Sequence, residues 1–390
     1  MQVYINKITA DAKIPGAAVS IIKNKRIINI YTGFKNSEKK TQIDHNTIYL
    51  SASLSKVVFS YCILKLVELK ILELDTPLST YTNLKAISKS YASTNFNKIT
   101  TRMILSHTSG LQNDGKNKIL FTPGTRFFYS GDGFKLLQLV VEQITKEPIN
   151  NIINRYVFIP FNMINSSFVY RSEYKTRITS QHDYYQRVIP NIIIPERIKS
   201  AHVAGSLFTT LVDYGIFLTK LSNDENIINM MLEKQIKLSK NIYWGLGVPV
   251  EIINGKKMIW HWGDNLYFRH FFIYDLVNSN GMILFTNSYN GLSIVDKLSY
   301  KIFHKKFASV LELKKLTEGR FLHEQYDNPL RIKRLLILDD FLTNGSSALI
   351  EWKKWLDTLN SKDKLEQMNV LIEEFNTWLH PQNKKYIKLI

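Results

Sequence analysis

Ser53 and Lys56, in Ile48-Tyr49-Leu50-Ser51-Ala52-Ser53-Leu54-Ser55-Lys56, are the residues whose types and spacing point most directly to chemistry. An apolar, strand-like run ends there and a long helical pattern begins. A helix repeats every ~3.6 residues, so a Ser and a Lys three apart share one face. A hydroxyl is a poor nucleophile until a neighbour takes its proton, and an amine with a depressed pKa can do so. The start of a helix adds backbone N–H groups that can hold an oxyanion. By itself the pattern is common: Ser20/Lys23, Ser37/Lys40, Ser172/Lys175 and Ser361/Lys364 repeat it. A helix cap followed by a solvated lysine accounts for an isolated match.

Three other stretches give Ser53 its context. In Pro123-Gly124-Thr125-Arg126-Phe127-Phe128-Tyr129-Ser130-Gly131-Asp132-Gly133-Phe134, a Tyr beside small residues precedes a helix and is placed to enter a cleft. Flanked by cations, such a tyrosine is expected to lose its proton near neutral pH and act as a general base. In Trp260-His261-Trp262-Gly263-Asp264-Asn265, a strand residue is followed by a Gly that lets a substrate approach the backbone. Gly205-Ser206-Leu207-Phe208-Thr209-Thr210 lies ahead of a helix starting near Asp213. Taken singly, Tyr129 and His261 read equally well as satisfied core residues.

The elements around these stretches follow from periodicity. Residues 14–34 read as a β-hairpin turning at Lys23-Asn24-Lys25. Val57 to Leu69 reads as a buried helix, Phe134 to Ile144 as a second, and Pro160 as a break in the next. From Asn241 short apolar runs return: Trp244 to Val248, Lys257 to His261, Phe268 to Ile273 and Met282 to Thr286. Ser293 to Phe307 is helical. A hairpin at one end and strands near residue 290 imply one antiparallel sheet built from residues 14–50 and 241–290, around a helical lobe over 51–240. Leu349, Trp352, Leu356 and Leu359, then Leu365, Met368, Ile372, Phe375 and Leu379, describe an amphipathic helical hairpin. The expected domains are therefore 1–307 and a helical appendage, 308–390.

The order Ser53, Tyr129, His261 resembles the serine β-lactamase and penicillin-binding-protein superfamily, in particular the serine hydrolases related to class C β-lactamases. The resemblance covers roughly residues 10–305. Ile14-Pro15-Gly16-Ala17-Ala18-Val19 is similar to the family's opening strand, and Ser53-Leu54-Ser55-Lys56 to its first catalytic motif. Leu72-Glu73-Leu74-Asp75-Thr76-Pro77-Leu78 and Ile104-Leu105-Ser106-His107-Thr108-Ser109-Gly110-Leu111 match structural signatures, the second making His107 part of a structural loop. Tyr129-Ser130-Gly131 stands at the Tyr-x-Asn element, and His261-Trp262-Gly263 at Lys-Thr-Gly or His-x-Gly.

The resemblance implies an α+β fold of the β-lactamase/transpeptidase type, an antiparallel sheet flanked by helices. It implies Ser53 as the acylated nucleophile, with Lys56 and Tyr129 sharing the proton transfers; which of them is the base stays open. It implies an oxyanion hole from the N–H groups of Ser53 and Asp264, and His261 opposite Ser53, stabilising a tyrosinate or a substrate carboxylate. Gly131, Gly263 and Asn265 complete the expected substrate-binding set. Two departures stand out: Gly131 replaces an Asn that contacts the amide side chain of β-lactams, and His261 replaces a Lys that fixes a substrate carboxylate. They point away from β-lactams, toward an ester or a small peptide or amide, as in esterases, D-amino-acid peptidases and carboxypeptidases. The alternative expectation is a penicillin-binding or sensor-like protein that acylates with little turnover, or a weak β-lactamase.

Other chemistries find little support. The Gly-x-Ser-x-Gly elbow is absent, His323-Glu324 lacks a zinc helix's second His, and Gly245-Leu246-Gly247 lacks the third spaced Gly of a dinucleotide loop. No cofactor or metal is expected. Cys62, the single cysteine, falls on an apolar helix face and excludes an internal disulfide. The net charge is +18, from 51 basic and 33 acidic residues among 390. Those charges are spread along the chain and no nucleic-acid motif accompanies them, so a compositional bias toward Lys, Asn and Ile accounts for them, with an anionic cell-wall or membrane surface as the alternative partner beside a small-molecule substrate. The start of the chain as given lacks a signal-peptide layout, which gives the expectation of a cytoplasmic protein, or of a periplasmic or extracellular one if a leader has been trimmed.

Overall fold

The computed structural model describes residues 1–91, 94–113, 115, 117–183, 185–189, 195–316, 347–361 and 364. The chain separates into two compact units, Met1–Leu322 and His323–Ile390.

The first unit is built on nine strands in the order β3-β2-β1-β11-β10-β9-β8-β7-β6, every neighbouring pair antiparallel. β1 (Gly16–Lys23), β2 (Arg26–Asn36) and β3 (Thr41–Gln42) come from the start of the chain. The other six come from its later part: β6 (Ile236–Ser239), β7 (Ile242–Trp244), β8 (Pro249–Ile253), β9 (Lys256–Asp264), β10 (Arg269–Asp275) and β11 (Asn280–Thr286). The two halves join at β1 and β11, with Val19 opposite Leu284. β1 and β2 form the expected hairpin. Asn24 and Lys25, at φ 49° and 65°, make its two-residue turn, the left-handed pair whose twist suits flanking strands.

Strand alternation sends Ile283 and Phe285 into the main core, with Val57, Phe59 and Ile63 of the helix Ser55–Glu68. The helix Leu211–Leu221 lies against β1 and β11, where Gly215 would bring a Cβ within 3.5 Å of Ile27 and 3.7 Å of Ile283. The helices Gln2–Asp11 and Val295–Phe303 pack against β2 and β11. A short ribbon, β4 (Tyr49–Leu50) paired with β5 (Phe208–Thr209), ties the helical lobe to the sheet.

Three expectations change. The run Trp244 to Val248 is not a strand: β7 ends at Trp244, and Gly247 turns the chain at φ 83° into β8. A side chain at Gly245 would lie 2.0 Å from the Met231 carbonyl. Pro160 does not break its helix, because a π-turn over Asn154–Phe158 absorbs the disruption just before it. The first unit also extends past residue 307. The helix Ala308–Leu316 starts on Glu251, whose carboxylate accepts from the Ala308 and Ser309 N–H groups at 2.8 and 2.9 Å, and Val310 and Leu313 are buried. In the second unit the helix Ser347–Leu356 carries the first half of the expected hairpin. The other half, from Leu365, lies outside the described residues. Among the described residues no helix is long and apolar enough to cross a membrane.

Candidate active site

Ser53 occupies a 3₁₀ turn, Ala52–Leu54, that feeds the helix beginning at Ser55. Ala52 adopts φ +48°, a left-handed conformation that costs a non-glycine residue roughly 1–2 kcal/mol. The surroundings hold it there. Ser51 N–H donates to the Leu207 carbonyl at 2.8 Å, and Leu207 N–H donates to Ser55 Oγ at 3.0 Å. Leu207, in the 205–210 stretch, therefore braces the turn that carries Ser53.

One turn into the helix, the Lys56 ammonium lies 3.0 Å from Ser53 Oγ and donates to the Ala204 carbonyl at 2.7 Å. Lys56 is 2 % exposed. Desolvation lowers its pKa from the usual lysine range to about 7, so near neutrality a large share of the amine has a free lone pair.

Tyr129 sits just before the helix Gly131–Thr145, and its ring centre is 5.0 Å from Lys56 Nζ. Ser130 caps that helix by accepting from Gly133 N–H at 3.1 Å. The expectation that Tyr129 ionises near neutral pH is not met. Burial pushes its phenol up, and the nearby Ser53 hydroxyl counters only part of that rise. The Tyr129 hydroxyl is buried without a formed hydrogen bond.

His261 faces the same space from β9, its ring 6.3 Å from that of Tyr129. Its Nδ1–H donates to the Trp262 carbonyl at 2.7 Å, because a carbonyl can only accept. Desolvation, reinforced by Lys56, lowers its pKa to about 3, so the ring is neutral and Nε2 is an acceptor. This corrects the expectation that His261 stabilises a tyrosinate or a carboxylate: a neutral ring with its one N–H committed offers an anion neither charge nor donor.

Gly263 has a different reason from the one its sequence suggests. A Cβ there would lie 2.5 Å from the Ser51 carbonyl oxygen and 3.2 Å from the His270 ring. The glycine admits the Ser51–Ala52 turn ahead of Ser53. Asp264 ends β9 and Asn265 follows; Asn265 Oδ1 accepts from Phe268 N–H at 3.0 Å, so it shapes the turn to β10. Gly131 N–H donates to Asn113 Oδ1 at 2.8 Å, and the Asn113 amide stands 3.0 Å from where a Cβ of residue 131 would be.

The fold thus brings Ser53, Lys56, Tyr129 and His261 together, with Gly131 beside Asn113 and Ala204 and Gly263 against the Ser51 carbonyl. It adds contacts from residues that the sequence placed only in a structural loop or beside the motifs. His107, at φ +56°, accepts from Ser130 N–H through Nδ1 at 3.0 Å and packs at a tilt against Tyr129 with centroids 4.3 Å apart. Trp244 packs edge-on against His107 at 4.8 Å, and Trp262 lies 5.1 Å from Tyr129. The polar loop 106–110 and the tryptophans were visible signals; nothing local marks Ala204 or Asn113. Cys62 is buried, and burial raises its thiol pKa, as suits a core residue. Among the described residues no group of three or more His, Cys, Asp or Glu could hold a metal ion.

The family model "Beta-lactamase" matches residues 3–304. The chain belongs to the beta-lactamase family. The family has the β-lactamase/transpeptidase-like fold and comprises serine hydrolases. A curated relative, "Protein flp" of Staphylococcus aureus (strain NCTC 8325 / PS 47), is 23% identical over 333 residues, covering 77% of this chain and 66% of its own length. The chain thus spans just under two thirds of that relative. Among solved structures, a penicillin-binding protein from Bacillus halodurans superposes with a TM-score of 0.66 at 20% identity, covering 80% of this chain and 100% of that one. The octameric penicillin-binding protein homologue from Pyrococcus abyssi gives 0.64 at 20%, covering 87% and 80%. EstCE1, a hydrolase with promiscuous acyltransferase activity, gives 0.61 at 18%, covering 73% and 92%. These likenesses establish the shared fold.

Proposed function

We propose that this beta-lactamase-family protein is a serine hydrolase that forms an acyl-enzyme on Ser53 and acts on an ester or a small peptide or amide. The carrying observation is Lys56, 3.0 Å from Ser53 Oγ, with its pKa lowered to about 7. When neutral, Nζ accepts the Ser53 hydroxyl proton while still donating to the Ala204 carbonyl. Ser53 Oγ bonds to the substrate carbonyl carbon, and the carbonyl π electrons move to oxygen, which the N–H groups of Ser53 and Asp264 hold. The leaving group then takes a proton from the Lys56 ammonium, relayed by the Tyr129 hydroxyl, and the acyl–Ser53 ester remains. Water repeats the sequence to release the acid. Tyr129 serves as a relay and not as the base, because its proton is held too tightly.

The neutral His261 and the side-chain-free Gly131 favour substrates without a carboxylate beside the scissile bond, hence esters and amides over carboxypeptidase substrates and β-lactams. Hydrolysis of p-nitrophenyl acetate by wild type and Ser53→Ala tests the reading. The expected result is loss of several orders of magnitude in kcat/KM. Unchanged hydrolysis by Ser53→Ala would sink it. Intact mass after a fluorophosphonate pulse should show one adduct on wild type and none on the variant.

A further inference from the structure

Asp264, whose N–H the proposed mechanism places at the oxyanion, stands opposite Arg269 where β9 and β10 meet. Arg269 is 1 % exposed, unusual for a charged side chain. Its Nε donates to Asp264 Oδ1 at 3.1 Å, its Nη1 donates to the Tyr289 carbonyl, and its guanidinium lies 4.3 Å over the Tyr289 ring. The Arg269 backbone is fixed as well, its carbonyl accepting from Thr286 Oγ1 at 2.7 Å.

The same Asp264 oxygen also accepts the Leu266 N–H at 2.9 Å. Leu266 adopts φ +79°, a left-handed conformation that a leucine keeps only when its neighbours impose it. One carboxylate oxygen therefore does two things: it holds the strained turn shut and takes the buried guanidinium. Both fix the peptide that carries the Asp264 N–H.

We propose that Arg269 is a positioning residue, which acts through the Asp264 carboxylate to aim the Asp264 N–H at the substrate oxyanion. This rests on the acyl-enzyme reading above. A mere packing role for the pair would appear as lost stability. A positioning role appears as lost transition-state binding, because a misaimed donor weakens the oxyanion contact more than the ground-state one.

The test uses the full chain, with kcat and KM on p-nitrophenyl acetate, the rate of phosphonylation by a fluorophosphonate, and Tm. Asp264→Asn keeps an oxygen for both hydrogen bonds and is expected to lose about tenfold less in kcat than Asp264→Ala. Asp264→Ala and Arg269→Met are expected to lose on the order of 10²-fold in kcat, the scale of one oxyanion donor, with KM within about twofold and phosphonylation slowed in parallel. If Arg269→Met does not fold, Asp264→Ala carries the test alone. Adding Leu266→Gly, which relieves the left-handed strain, should recover part of the Asp264→Ala loss. The inference is overturned if Asp264→Ala keeps kcat within about threefold, or if its loss lies in KM or Tm alone. It is equally overturned if Asp264→Asn is as impaired as Asp264→Ala. Wild-type hydrolysis that survives Ser53→Ala would instead remove the mechanism on which the inference rests.

Discussion

Lys56 can serve as the base because the fold strips it of water and, among the described residues, pairs it with no carboxylate. Burial lowers its pKa, and its hydrogen bonds run to a hydroxyl and a carbonyl. The direction of the pH dependence follows. The protonated amine cannot accept from Ser53, so kcat/KM should rise with pH through about 7 with unit slope and then level. His261, with its pKa near 3, should add no ionisation between pH 5 and 9. A pH–rate profile on p-nitrophenyl acetate checks both. Lys56→Ala should cost on the order of 10²–10⁴-fold in kcat, the usual scale for a general base. A profile unchanged in shape in that variant would assign the ionisation to another group. Ser53 and Lys56 were legible in sequence because their spacing is local. The choice between Lys56 and Tyr129 was not, because burial distributes protons and burial is a tertiary property.

At the scale of elements, the site depends on β9 touching the nucleophile turn. His270, on the neighbouring strand, donates through Nε2 to the Leu50 carbonyl at 3.0 Å and accepts from Thr286 N–H through Nδ1 at 3.3 Å. Gly263 leaves room for Ser51. Gly263→Ala forces a Cβ to within 2.5 Å of a backbone oxygen, which only a shift of strand or turn can relieve. It should lower stability by about 1–3 kcal/mol, the range for overpacking, and should slow Ser53 phosphonylation beyond what the Tm change explains. Thermal melts and phosphonylation rates measure the two separately, and an Ala variant equal to wild type in both would refute the contact. The hairpin at β1 and β2 could be read from alternation and its turn residues. The break after Trp244 could not, since the constraint on Gly245 comes from Met231 in a distant segment.

Across the whole molecule, the sheet closes only when β1 meets β11, so the site forms late in sequence terms, from segments more than 200 residues apart. The net charge of +18 is a property of the whole chain, while burial lowers the Lys56 pKa to about 7 and that of His261 to about 3. Charge so spread should govern association and not catalysis. The protein is expected to sediment with phosphatidylglycerol vesicles at low salt and to be released near 0.5 M NaCl, where screening shrinks the Debye length to a few ångströms. Hydrolysis of a neutral ester should change little over the same range. Binding that persists at high salt would contradict this electrostatic account.

The Ser53/Lys56 spacing, the sheet drawn from both ends of the chain and the order of the site segments could be read from the residues alone, because periodicity, turn chemistry and helical spacing are local. The tertiary structure decided the protonation states, the reason for Gly263, the aromatic shell of His107, Trp244 and Trp262, and the Arg269–Asp264 pair. Each depends on which distant groups exclude water or occupy space beside a residue, and no local pattern encodes that.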